Sequence, residues 1–503
     1  MTHASSQLAA LITLRWTMIR SHPLRIGLVL LAALPLLLTL SGVLLSGFVP
    51  QELALTLAAS APPLYLAFVV LAVLAPLAAG GGNVLYPADQ LVAYPTRAHT
   101  QFLSALALVP ANLAWTLNVV AVIVVTSLAA GPLSWFSAFP VATSLAYVAC
   151  VTLLGQAAAW LIIGIRQRRL GRIGTWFLAA LLALAVLYAA RSGMTVSVLN
   201  RSPTTQVLNT ATAGYRGSWL TWLTGIGIML AGAVAAFHAG SRLTAWALRR
   251  PGDQHRLSSG SRVARRRPAT STLAELIAVD RASVWRAPPL RRGLIVLLLL
   301  PGAVAAAAAL SWQSLILLPG LVAAGAGLVF GINVFALDAS GALWLSTLPG
   351  WMRPAFVAKA YVTAETTLLA VGVALISGSL RAPTPSSVAQ VTATAGCGLA
   401  CAALVVASAQ RSSVLHPHRA DLLGNRDTPA PPGATVLYSV KLASMTTCTG
   451  LLFSGVALTD LWWAPMMLVF PFLGWAALSL ADTWRLWQQP TARARVVTTV
   501  SGG

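Results

Sequence analysis

The chain has 503 residues, of which 57% are hydrophobic and only 9% charged, with a mean hydropathy of +0.78. A soluble domain carries about 25% charged residues, so this composition excludes a water-soluble globular protein and requires lipid. The formal charge of +22 would suit nucleic acid, but the arginines stand in short loops between apolar runs, the placement that orients a membrane protein. No nucleic-acid partner is expected.

Apolar runs of roughly 20 residues recur along the chain, each long enough to cross the hydrocarbon core as a helix. No alternating pattern of the outer-membrane barrel kind is present. The four cysteines (Cys150, Cys397, Cys401, Cys448) fall inside apolar runs, without the spacing of a zinc site or a disulfide frame. The only two lysines are Lys359 and Lys441, a usage that fits a GC-rich, actinobacterial-like source.

Residues 6–22 set Leu8, Leu11, Ile12, Trp16 and Ile19 among Arg15 and Arg20, the pattern of an amphipathic helix on the membrane surface. The apolar run after Arg25 is too long for a cleavable signal and reads as a retained anchor. Six spans are expected near 26–48, 62–80, 102–129, 140–165, 173–190 and 218–240. Arg97, Arg166, Arg168, Arg169 and Arg172 mark cytoplasmic loops. The outer segment 49–61 has the single charge Glu52, whereas the outer loop 191–216 carries three arginines.

Residues 249–271 break this rhythm, with seven arginines between 249 and 267 set among Pro, Gly and Ser. They read as a flexible basic linker on the cytoplasmic side. Beyond it the chain begins again. Leu8-Ala9, Leu11-Ile12, Pro23-Leu24-Arg25 and Gly27-Leu28 return as Leu273-Ala274, Leu276-Ile277, Pro289-Leu290-Arg291 and Gly293-Leu294, offset by 265 and then 266 residues. A second surface helix is expected over 272–287. Spans follow near 293–311, 314–336, 357–378, 388–409, 435–457 and 464–481.

The expected architecture is an all-α polytopic membrane protein with about 12 transmembrane helices in two repeated six-helix halves, each preceded by an amphipathic surface helix. The halves are 1–248 and 272–503, the linker 249–271, and both termini are cytoplasmic in a bacterial inner membrane. The duplication predicts one chain per transporter.

The loop after the second span has the same shape in both halves. The first runs from Asn83-Val84 through Asp89 to Tyr94-Pro95-Thr96-Arg97-Ala98-His99. The second runs from Asn333-Val334 through Asp338 to Leu348-Pro349-Gly350-Trp351-Met352-Arg353, with offsets of 250 at the Asn and 254 at the Pro. Acid, apolar stretch, proline and basic residue in that order suit a short helix at the membrane face that docks another protein.

In these features the chain resembles the permease subunits of ABC-2 type exporters: a surface helix, six spans per half, and this loop after the second. The resemblance implies that Tyr94, Pro95, Arg97 and His99 form one coupling helix, and Leu348, Pro349, Trp351 and Arg353 a second. It implies a separate cytoplasmic ATPase in two copies, with ATP and Mg held by that partner and no cofactor on this chain. A lipophilic substrate would move outward through the membrane. The chain departs from the family in having, outside its last two spans, only Thr459-Asp460-Leu461-Trp462 where the first half offers 191–216.

The chain has no phosphate-binding loop, because neither Ala358-Lys359-Ala360 nor Val440-Lys441-Leu442 follows a Gly-rich turn or precedes Ser or Thr. It is therefore read as a transport subunit and not an enzyme. Glu365 is an acid inside the third span of the second half, a candidate for proton relay or cation contact. Lys441 lies in the fifth span, placed to snorkel. His416-Pro417-His418 with Asp421 reads as a solvated group, and no metal site is expected. The rival readings are a proton-coupled secondary exporter using Glu365 and, with less behind it, a membrane-embedded transferase.

Overall fold

The computed structural model describes residues 50–79, 97–107, 113–131, 134–166, 202–249, 271–307, 310–382, 386–419 and 432–502, with a few single positions besides. The expected surface helix 6–22, the spans 26–48 and 173–190, most of the linker and the loop 80–96 lie outside the described residues. What is described is helical throughout, with no strand among the described residues. Two compact units divide the chain, residues 1–253 and 254–503.

In the first unit the helices are α1 (Gln51–Ala79), α2 (Ala98–Ala107), α3 (Leu113–Ala130), α4 (Ala138–Arg166), α5 (Pro203–Tyr215) and α6 (Trp219–Leu248). Within the run expected as one span over 102–129 the described residues form α2 and α3, and residues 108 and 110–112 between them lie outside the described residues. α1, α3, α4 and α5 share a core of Ala61, Tyr65, Phe68, Val119, Val122, Tyr147, Val151 and Val207. Its two buried phenols are satisfied internally: Tyr65 pairs with the Thr126 hydroxyl at 2.6 Å, and Tyr147 donates to the Tyr65 carbonyl at 2.6 Å. The stretch expected outside the membrane, 191–216, holds α5, whose Tyr215 ring packs on Gly131. At φ +144° with the ring 2.7 Å from where a Cβ would stand, that position admits only glycine.

The second unit runs α7 (Thr272–Arg286), α8 (Pro288–Ala307), α9 (Trp312–Leu315) and α10 (Leu318–Ala326), then a π-turn (Gly327–Gly331) and a 3₁₀ turn (Val334–Leu337). It continues with α11 (Gly341–Ser346), α12 (Met352–Ser379), α13 (Val388–Leu415), α14 (Pro432–Ala457), α15 (Trp463–Gln488) and α16 (Pro490–Ser501). α7 begins at Ser271, whose hydroxyl accepts from the Ala274 amide, with Glu275 in the first turn favouring the positive end of the helix dipole. The repeated Pro-Leu-Arg-x-Gly-Leu string opens α8. Leu290 and Leu294, four apart on one face, are buried there, and Gly293 lets Val329 pack against the backbone. Further along, Gly302 brings α8 against Ser377 and Ala374 of α12, a small-residue contact typical of helices in lipid.

Eight described helices are long and apolar enough to cross a bilayer: Trp135–Arg166, Trp219–Leu248, Pro289–Ala306, Trp312–Gly331, Met352–Ser379, Val388–Leu415, Leu437–Ala457 and Trp463–Gln488. The last six fall where the six spans of the second half are expected. α13 is the axis of its unit, with 72% of its most apolar stretch buried, against 22% for α15. The outward side chains of α15, among them Met466, Met467, Phe470 and Leu478, are the surface such a helix gives to lipid. Hydroxyls on these helices return to their own backbone. Thr143 donates to the Phe139 carbonyl, Ser144 to Pro140, Thr244 to Gly240, Thr394 to Gln390, Ser413 to Ala409 and Thr483 to Ser479.

Candidate functional site

The densest grouping of charge among the described residues lies where α7, the loop after the π-turn and α12 meet. Asp280 is turned inward from α7, and Asp338 ends the 3₁₀ turn. Lys359 lies two turns into α12, and its ammonium donates to both carboxylates at 2.6 Å each. Lys359 and Asp280 are all but fully buried and Asp338 nearly so. One ammonium between two carboxylates leaves the cluster with a net negative charge when all three are ionised. Burial pushes the Asp280 carboxyl above its usual range, a rise that the attraction of Lys359 opposes but does not cancel.

A second ion pair lies beside the first. Arg281 donates from Nε to Glu365 Oε2 at 2.7 Å, and its guanidinium stands 5.7 Å from the Tyr361 ring centroid. Both of its charged side chains are more than a third exposed. Adjacent residues of α7 thus grip α12 at two points, one dry and one wet. The dry one also seizes the loop through Asp338.

The cavity against the cluster holds about 20 Å³, room for a single water, and is walled by Val284, Leu290, Val329, Phe330 and Val362. No transported molecule fits there. The arrangement suits a mechanical joint that fixes the loop to the membrane helix.

The loop is anchored on its other side by aromatic packing. Trp487 of α15 stacks on Phe335 with centroids 4.7 Å apart, meets Trp351 edge-on at 5.7 Å and donates to the Met352 carbonyl at 3.1 Å. The Val334 amide donates to Ser413 Oγ at 3.0 Å, and Asn333 Nδ2 to the His418 carbonyl at 2.6 Å. Between the two anchors the chain projects α11, whose Leu343 and Trp344 are exposed, 49% and 68% respectively. Left-handed residues bracket it: Ala339 at φ 42° and Gly350 at φ 70°.

The residues singled out in the second loop separate accordingly. Leu348 and Pro349 lie in the turn after α11, and Leu348 and Arg353 are exposed. Trp351 is buried in the aromatic anchor at the start of α12. The short helix sits earlier than expected, over 341–346, because the left-handed turn at Gly350 stops a helix from running through Pro349 into α12. Of the first loop's residues, Tyr94 and Pro95 lie outside the described residues. Arg97 and His99 are exposed at the start of α2, with the His99 ring stacked 6.2 Å from Phe237 of α6. Lys441 is exposed on α14, far along the sequence from the ion cluster.

Sequence reasoning picked out Glu365 and missed Lys359, Asp280 and Asp338 as a group. The available signal was scarcity: a chain with two lysines places one inside an apolar helix, where a charge demands a partner. The apolar segment 98–130 of the first unit contains no Asp, Glu, Lys or Arg, so it carries no counterpart of Lys359. Comparison of the chain with protein-family models, with curated proteins and with solved structures returns no match.

Proposed function

We propose that this chain is the membrane permease subunit of an ATP-driven ABC-2 type exporter, with about 12 spans in two six-span halves. In this reading a separate ATPase drives a lipophilic substrate outward. The observation that carries it is the projecting α11, with Leu343 and Trp344 exposed and its base clamped by a buried ion cluster and an aromatic stack. Exposed apolar side chains on a rigid mount are what a docking partner requires. Lys359 then makes the loop, the surface helix and α12 move as one body, so that a push on α11 becomes a tilt of α12. Two ATPase copies would take the two loops, Arg97 and His99 belonging to the first and Leu348 and Arg353 to the second. The inner-membrane location with both termini cytoplasmic belongs to the same proposal.

The proton-coupled alternative draws less support. Glu365 is partly exposed and already paired with Arg281, whereas a relay acid works from a secluded position.

Isolation of the tagged chain from its native membrane tests the proposal. A nucleotide-hydrolysing subunit should be recovered in about twofold excess, one copy for each proposed docking loop. Trp344→Glu with Arg353→Glu should release it while the permease stays folded. Recovery of the permease alone, active in transport without ATP, would overturn the reading.

A further inference from the structure

A second feature of unit two has no part in the joint at α7. Between α13, α14 and α15 runs an open groove of about 680 Å³. Its lining changes character along its length. By helix position Arg411 and Lys441 stand nearest one end, Ser408, Ser444, Met445 and Ser479 come next, and Cys448 and Trp475 lie furthest in. At ~1.5 Å per helical residue the two cations sit roughly 6 Å inside the ends of their apolar stretches, Leu415 and Leu437, whereas Cys448 and Trp475 lie roughly 15–20 Å in.

Both cations are exposed, and neither has an acidic partner among the described residues. Two positive charges at one mouth repel each other, and the one acid on these three helices, Asp482 of α15, is paired with Arg485. A bound anion would relieve that repulsion. The depth of the groove sets the rest of that partner's chemistry. A small inorganic anion would leave Met445, Cys448 and Trp475 with nothing to cover them, while a neutral amphiphile would leave the cations unpaired. Cationic clefts between transmembrane helices characteristically take lipid headgroups at the membrane face.

We infer that this groove binds one anionic glycerophospholipid of the surrounding leaflet. Its phosphate lies between Arg411 and Lys441, and an acyl chain follows Met445, Cys448 and Trp475. The inference rests on the membrane setting of α13, α14 and α15 and not on the exporter reading, so either can fail alone.

Cys448 reports on the groove directly. It is exposed, whereas Cys397 and Cys401 are buried. The full chain bearing Cys150→Ala is reconstituted in vesicles of phosphatidylcholine alone and in vesicles of equal parts phosphatidylcholine and phosphatidylglycerol, and a bilayer-soluble maleimide is added. Labelling of Cys448 should slow several-fold when phosphatidylglycerol is present. Arg411→Gln with Lys441→Gln should abolish that protection, through roughly 30-fold weaker binding for two lost cations. The same variant should keep the unsubstituted labelling rate in pure phosphatidylcholine, which shows the fold intact. Arg411→Lys with Lys441→Arg should retain protection. Equal rates in the two vesicles, protection that survives the Gln pair, or its loss in the charge-preserving pair would each overturn the inference.

Discussion

The Asp280–Lys359–Asp338 cluster and the Arg281–Glu365 pair have nearly equal lengths and unlike energetics. Opposite charges in water gain little by meeting, so the exposed pair contributes at most about 1 kcal/mol. A buried charge deprived of its partner keeps its full desolvation cost, about 3–5 kcal/mol. Lys359→Met should therefore lower stability by about 3–5 kcal/mol and Glu365→Gln by less than about 1 kcal/mol, as read by denaturation in detergent. The opposite ranking would show that the dry cluster is not the joint. Asp280 also gives the chain a dependence on pH. Its carboxyl is held above the ordinary range by burial, so the folded state binds this proton more tightly than the unfolded chain does. Its contribution is present at low pH and is lost as pH rises through the folded value. As pH rises from about 4 the melting temperature should thus fall more for the unsubstituted chain than for Asp280→Asn, and parallel profiles would remove Asp280 from the account.

At the scale of elements, the decisive object is α11 with its two anchors. Helices of six residues do not persist alone in water. α11 stands because Asp338 is tied below it on one side and Trp351 packs against Trp487 on the other. Trp487→Ala removes the stacked ring, the edge contact to Trp351 and the bond to the Met352 carbonyl together. A loss of about 3–5 kcal/mol is expected for a buried tryptophan, and limited proteolysis should cut within 339–350 well before any other described loop. If 339–350 stays as resistant as before, the ion cluster alone suffices to hold α11.

Elements of this kind divide what the sequence discloses from what it conceals. The spans of the second unit were legible because a 20-residue apolar run has one stable form in lipid. The repeated Pro-Leu-Arg-x-Gly-Leu string was legible too, and in the second unit its buried leucines and close glycine now have separate reasons. The joint was not legible. Asp280, Asp338 and Lys359 belong to α7, the loop before α11 and α12, and no periodicity links positions 58 and 21 residues apart. The burial of Trp351 was not legible either, because it is decided by Trp487, which enters from far along the chain.

For the molecule as a whole, the charge asymmetry between the two units matters most. Both carry long apolar helices, but only the second has a lysine and an acid in its third span. The sequence repeat does not extend to these charges, and under the proposed exporter reading the two loops need not transmit force equally. A subtler property is shared by both units: the hydroxyls that fold back onto their own helices. Ribosomes deliver helices one at a time, and α13 leaves the ribosome before α14 and α15, which come to enclose it. During that interval its threonines and serines would face bare hydrocarbon. Because Thr394 and Ser413 already bond to the carbonyls one turn behind them, α13 enters the bilayer with those hydrogens satisfied, and it can wait for its neighbours without being driven into a wrong partnership.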